Sequence, residues 1–153
     1  GGGTGGYTSA SQEVVDVLRQ KGRPYLFSNS IAPSVVGATN EVFKMLAESQ
    51  DLIANLHANT ALFRSQMKAA GFNILGHDDC PIAPVYLGDA KVAGEMSNKL
   101  MERHNIFVIG FSFPVVPKGQ ARIRCQLSGA HSKEQIERTV AAFKEVGKEM
   151  GVI

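Results

Sequence analysis

The sequence contains no run of lysines or arginines and no stripe in which basic residues alternate with aromatic ones. Sixteen basic against fourteen acidic residues leave a net charge of only +2. A nucleic-acid partner needs a concentrated basic face to meet phosphates, so none is expected. No apolar stretch approaches the roughly 20 residues that cross a bilayer. The first residues have neither the basic nor the apolar segment of a secretory signal. A soluble chain without a membrane partner is expected, with any targeting peptide lying outside it.

Cysteine is scarce as well, with only Cys80 and Cys125. A chain of this size does not need a disulfide, and both thiols are expected to be reduced, as in cytoplasm or mitochondrial matrix. His57, His77, His104 and His131 are scattered, with no His-x-x-x-His pair. His77 stands three residues before Cys80, an isolated pair that is more often incidental than metallic, and no metal site is expected.

What is present is a chain of 153 residues with an ordinary 44% apolar content, enough for one domain with its own core or for one piece of a larger one. Its most informative stretch is Pro114-Val115-Val116-Pro117-Lys118-Gly119-Gln120-Ala121-Arg122-Ile123-Arg124-Cys125-Gln126-Leu127. The second half alternates strictly. A strand there turns Ala121, Ile123, Cys125 and Leu127 to one face and Arg122, Arg124 and Gln126 to the other. Two guanidinium groups on one strand face repel unless anions or water meet them, and their planar forks suit carboxylate or phosphate. An arbitrary Arg-x-Arg strand more often pairs with acids or lies in solvent. The two prolines and the glycine before it, which restrict the approach, weigh toward a built site.

Along the chain, Ser9 and Gln12 form a capping-box pattern for a helix from about residue 9 to 21, with Gly22 as its stop. Residues 23–27 read as an extended connector, because the residue before Pro24 is biased away from helix. Ser28-Asn29-Ser30 precede a helix that starts near Pro33, and capping is their simplest role. Helices follow over about 33–49 and 51–70, the second with Leu52, Ile53, Leu56, Phe63 and Met67 on its apolar side. After Gly71 come candidate strands at 72–75 and 82–87, with Pro84 marking an edge or bulge. A helix capped by Asp89 and ended by Asn105, a strand at 106–109, a strand at 122–127 and a helix opened by a Ser132/Gln135 capping box complete the order. The fold class is therefore α/β, with an α+β C-terminal domain: a largely antiparallel sheet with helices on one face, the arginine face remaining open.

Three ordered blocks carry a resemblance: Gly5-Gly6-Tyr7, Arg23-Pro24-Tyr25-Leu26-Phe27-Ser28-Asn29-Ser30, and the Pro-Val-Val-Pro-Lys-Gly-Gln-Ala-Arg-Ile-Arg segment continuing to His131. Together they resemble the C-terminal signature of the glycine C-acetyltransferases, within the α-oxoamine synthase family of pyridoxal-phosphate (PLP) enzymes on the fold type I scaffold. The resemblance implies the C-terminal lobe of such a transferase: the end of the cofactor lobe over 1–31, a helical connector over 32–70 and a small domain over 71–153. It implies pyridoxal 5'-phosphate as cofactor, and a homodimer with shared active sites in which Ser28 and Asn29 reach the cofactor of the neighbouring subunit. Glycine and acetyl-coenzyme A are the implied substrates, with Arg124 on the glycine carboxylate.

The same resemblance places the Schiff-base lysine just upstream of the glycine-rich start, so no catalytic residue is expected within this chain. That start, Gly1 to Gly6, reads by itself as linker or as a phosphate cradle lacking the Gly-Lys-Ser/Thr ending. Arg122 is expected in a structural ion pair, Lys118 in solvent or on a coenzyme A phosphate, and His131 in a structural role. The implied compartment is the mitochondrial matrix in a eukaryote and the cytoplasm otherwise. Another α-oxoamine synthase, acting toward 5-aminolevulinate or 8-amino-7-oxononanoate, and a non-catalytic binding or dimerisation module are the competing readings.

Overall fold

A computed structural model describes residues 3–153. Gly1 and Gly2, which open the glycine-rich stretch considered as a phosphate cradle, lie outside the described residues. The chain divides into two compact units at Gln50/Asp51.

The first unit carries α1 (Gln12–Lys21), the single turn α2 (Arg23–Leu26) and α3 (Pro33–Glu48). The capping box expected at Ser9 is not formed. Ser11 is the N-cap residue without a side-chain cap, and the Gln12 amide donates instead to Asp16 Oδ1 at 2.8 Å, an i, i+4 pair that occupies it. Gly22 does end α1. Its N–H donates to Leu18 O at 2.7 Å, and a Cβ there would fall 2.6 Å from that carbonyl oxygen, so only glycine fits.

Arg23–Leu26 are helical rather than extended, because Pro24 sits in the first turn, where its missing N–H costs nothing, and Phe27 is the C-cap. That turn closes with Asn29 N–H donating to Pro24 O at 2.9 Å and Ser28 N–H to Tyr25 O at 3.2 Å. These are the two bonds of a Schellman motif. Ser28 takes the left-handed position at φ 71°. Consequently Ser28, Asn29 and Ser30 do not cap α3, whose N-cap is Ala32 with no side-chain bond. No residue of α1, α2 or α3 is buried.

The second unit begins with α4 (Asp51–Ala69), followed by β1 (Ile82–Gly88), α5 (Ala90–His104), β2 (Ile109–Phe111), β3 (Ala121–Gln126) and α6 (Lys133–Glu149). The strands form an antiparallel sheet in the order β1-β3-β2. Ala121, Ile123, Cys125 and Leu127 are buried, as the alternation requires, and Arg124 and Gln126 are exposed. α5 packs on the strands, and α6 packs on α4 and α5. Phe143 of α6 centres the core, with edge-on contacts to Phe63 at 6.5 Å and Phe72 at 5.9 Å. Gly147 lets Phe72 approach, since a Cβ there would lie 2.6 Å from Phe72 Cζ.

The expected caps of this unit form: Asp89 accepts from Lys91 N and Val92 N, Asn105 ends α5 in the left-handed conformation, and Ser132 and Gln135 close a capping box. Two strands differ from expectation. Residues 72–75 contribute only the bridge Ile74↔Val85, with Leu75 N–H on Pro84 O and Asn73 O accepting from Tyr86 N–H. They run beside β1 at the position where Pro84 has no N–H to offer. β2 starts at Ile109, not residue 106, because the preceding residues are tied to α5. Ile106 N–H donates to Leu100 O at 3.1 Å and the Ser97 hydroxyl to Val108 O at 2.6 Å.

On α4, Phe63 and Met67 are buried as expected, but Leu52 is 55% exposed. Asn59, Thr60 and Arg64 occupy much of the inward stripe instead. Arg64, only 2% exposed, has no carboxylate partner among the described residues. It donates to the carbonyls of Leu75, Cys80 and Ile82 at 2.9–3.1 Å, pinning the connection that leads into β1.

At the α5–α6 seam Glu149 meets Arg103, with 2.5 Å to Nη1, and also Lys99. The hydrogen bonds from Arg103 and then Lys99 hold the Glu149 carboxyl down at about 2, against a usual 4.5. A carboxyl depressed on folding stabilises above its unfolded value and loses that contribution as pH falls through the folded one. Glu149→Gln should therefore lower the denaturation midpoint near neutral pH. The gap to the parent should close as pH falls from about 4.5 to about 2, and a gap independent of pH would refute the pairing.

Candidate functional site

Arg124 sits in mid-β3, paired across the sheet with Pro84 of β1 and Ile109 of β2. Neither cross-strand neighbour offers an acidic side chain. Its guanidinium carbon lies 4.8 Å from the centroid of the Phe111 ring, a cation–π contact. Among the described residues no carboxylate comes within 4.0 Å of it, since none of the ion pairs formed includes it.

Arg122 is held differently: Nε donates to Gln120 O at 3.1 Å and Nη2 to Gln120 Oε1 at 3.4 Å. The structural ion pair expected for it is absent among the described residues. A neighbouring carbonyl and amide occupy this fork, while Arg124 forms no side-chain hydrogen bond with the described residues. Lys118 stands 5.2 Å from the Phe113 ring centroid.

Arg124 lines a cavity of about 420 Å³ beyond the end of the short β2. Its walls come from residues 105–109, the outer part of β3 and the start of α6. His131, Gln135 and Arg138 belong to it, whereas no Asp or Glu does. His131 is anchored in place: Nδ1 accepts from Ser128 N–H at 3.2 Å and its carbonyl accepts from Asn59 Nδ2 at 2.8 Å. With Nδ1 accepting, the neutral ring carries its proton on Nε2. Cys125 also lines the cavity, but burial pushes its thiol up to about 12, which removes it as a nucleophile.

Ser28 and Asn29 lie in the first unit, and Arg124 in the second. Ser28 occupies the position at a helix exit where glycine is usual, at a cost of roughly 1 kcal/mol for a residue with a Cβ. Both residues are exposed. Neither side chain forms a hydrogen bond with the described residues, so a hydroxyl and a carboxamide stand side by side with their donors available. Arg138 and the buried Arg64 did not stand out in the sequence. Arg64 had a signal, a cation at i+1 and i−3 from the core residues Phe63 and Met67, whereas Arg138 on an exposed helix face had none.

A model of the family described as aminotransferase class I and II matches residues 2–143. The chain belongs to this family. Over 153 residues it is 54% identical to the 2-amino-3-ketobutyrate coenzyme A ligase of Escherichia coli (strain K12), covering 100% of this chain and 38% of that protein. It is 51% identical to the mitochondrial 2-amino-3-ketobutyrate coenzyme A ligase of Mus musculus, covering 100% of this chain and 36% of that protein. The chain thus spans little more than a third of the length of these curated relatives.

A serine palmitoyltransferase from S. paucimobilis, solved with bound PLP-myriocin, superposes with a TM-score of 0.81 at 28% identity, over 90% of this chain and 35% of that one. The architecture is that of the C-terminal part of a fold type I PLP enzyme, as the resemblance implied, and the chain is a homologue of 2-amino-3-ketobutyrate coenzyme A ligase.

The two thiols should separate in a labelling experiment. In the folded protein at about pH 8, a thiol reagent should titrate the partly exposed Cys80 and leave Cys125 untouched, with both reacting in denaturant. Two fast thiols in the folded state would contradict the burial of Cys125.

Proposed function

We propose that the chain is the C-terminal part of a PLP-dependent acyltransferase that joins glycine and acetyl-coenzyme A to give 2-amino-3-oxobutyrate and coenzyme A, or runs the reverse cleavage in threonine breakdown. The similarity to 2-amino-3-ketobutyrate coenzyme A ligases over the whole chain supports this reading. The observation that carries it is Arg124, a guanidinium without an acidic partner among the described residues, stacked on Phe111 at the wall of a cavity. A carboxylate takes such a fork in a bidentate pair, fixing the orientation of the Cα bonds of the amino acid.

Ser28 and Asn29 fit a phosphate group. Their donors have no partner among the described residues, and the backbone at Ser28 is held at a positive φ that glycine would adopt without strain. We assign them to the phosphate of PLP held by a neighbouring subunit, so that the assembly is a homodimer with shared sites. When bound, PLP supplies an electron sink for the charge left on an amino-acid Cα. The residues of this chain hold the phosphate and orient the substrate carboxylate. The relative from mouse is named as mitochondrial, and we assign the matrix to a eukaryotic host and the cytoplasm otherwise.

In the holoenzyme, Arg124→Ala should raise the glycine KM about 100-fold, the scale of a lost charge-assisted pair, while the PLP absorbance is retained. An unchanged glycine KM would refute the assignment. Ser28→Ala should weaken PLP retention on dialysis about tenfold, the scale of one hydrogen bond to a charged group. A mixed dimer with Ser28→Ala on one chain and Arg124→Ala on the other tests sharing. If each site draws Ser28 and Arg124 from different chains, one site is intact and about half the activity of the parent returns. If each site uses a single chain, no site is intact.

A further inference from the structure

The cavity beside Arg124 has a second cation that the carboxylate reading leaves unused. Arg138, on the first turns of α6, lines the same cavity. It makes no ion pair among the described residues, although Glu134 and Glu137 share its helix, and Glu137 is 3.7 Å from Lys133 instead. With two arginines, His131 and no acidic residue in its lining, the cavity has a positive potential that an anion is needed to balance.

About 420 Å³ is also far more than glycine fills, and falls in the range of sites for larger ligands. The lining also has an apolar part, with Phe107, Ile109 and Leu127. Phe107 is 76% and Ile109 49% exposed, so the wall is open to a ligand rather than closed in a core. A ligand that matches has an anionic end, an extended chain of mixed polarity and a size well beyond an amino acid.

We propose that Arg138 is the second anion contact of this cavity and takes a phosphate of a coenzyme A thioester, whose pantetheine arm lies along the apolar wall toward Arg124. The inference rests on the acyltransferase reading and extends it from the amino acid to the second substrate. Arg138 is a binding residue in it, with no part in bond making. A guanidinium suits phosphate because its planar donors meet two oxygens at once, and on an exposed helix face it reaches the ligand without a desolvation cost to the fold.

The test compares two thioesters in the holoenzyme: acetyl-coenzyme A, and acetyl-pantetheine, which lacks the phosphates. Arg138→Gln should raise the KM for acetyl-coenzyme A about tenfold, leave the KM values for acetyl-pantetheine and glycine unchanged, and leave the melting temperature at that of the parent. Arg138→Lys should recover part of the loss, since lysine still offers a point charge. An unchanged KM for acetyl-coenzyme A, an equal rise for both thioesters, or a lysine variant no better than glutamine would each overturn the proposal. Calorimetric titration with coenzyme A is read alongside. If the holoenzyme transfers no acyl group at all, the acyltransferase reading fails by itself. The titration still decides the site: a tenfold weaker affinity in Arg138→Gln upholds it, and equal affinities overturn it.

Discussion

Within the second unit, β3 has a strand on each side and α5 against its buried face, and this asymmetry sets the rest of the site. Ala121, Ile123, Cys125 and Leu127 are driven into the core by burial of apolar surface. Because successive side chains point to opposite faces, Arg122 and Arg124 are carried to the other side, where Gln120 and the Phe111 ring are their contacts. A shift of one residue in register would bury two guanidinium groups and expose the core, so the position of the cations is fixed by the apolar half of the strand. The burial that stabilises the lobe also places these two charges.

Arg64, Arg122 and Arg124 are held in three different ways. Arg64 is buried and surrenders its donors to three carbonyls. Each hydrogen bond from a charged donor is worth about 1.5–3 kcal/mol, which offsets the desolvation of the guanidinium only because several are made at once. Removing that side chain would leave the carbonyls unpaired, so Arg64 serves the fold. Arg122 is half satisfied by Gln120. Among the described residues Arg124 has only the face of Phe111, worth about 0.5–1 kcal/mol at an exposed site. A contact of that size orients a side chain but does not compete with a carboxylate, and it leaves the in-plane N–H donors without a partner among the described residues.

Much of this architecture is legible in the sequence because it rests on short-range rules. The alternation of β3, the Asp89 and Ser132 caps and the Asn105 stop each need only a few neighbouring residues. The misreadings arise where a partner outside the local pattern takes a group away. Gln12 is captured by Asp16 and leaves the box with Ser9 open. Ile106 and Val108 are bound to α5, which delays β2 until Ile109. The outward placement of Arg124 was legible in the alternation around it, but the absence of a carboxylate partner among the described residues was not. That depends on which residues β1 and β2 set opposite it, Pro84 and Ile109, and pairing between distant strands is not written in any one segment. Arg138 was hidden for the same reason, since only the folded edge of the sheet brings α6 to that cavity.

Ser28 adds an argument from cost. The Schellman bonds from Ser28 and Asn29 to α2 would form equally well with glycine, and at φ 71° glycine removes a strain of roughly 1 kcal/mol. Retaining a side chain there does nothing for α2, and the hydroxyl does not cap α3. A fold that needs only the turn has no use for serine at this position, whereas a site that needs a hydroxyl on a rigid bend does. The same logic separates Arg124 from Arg64: in both cases the residue whose chemistry the fold leaves unspent is the one available to a ligand.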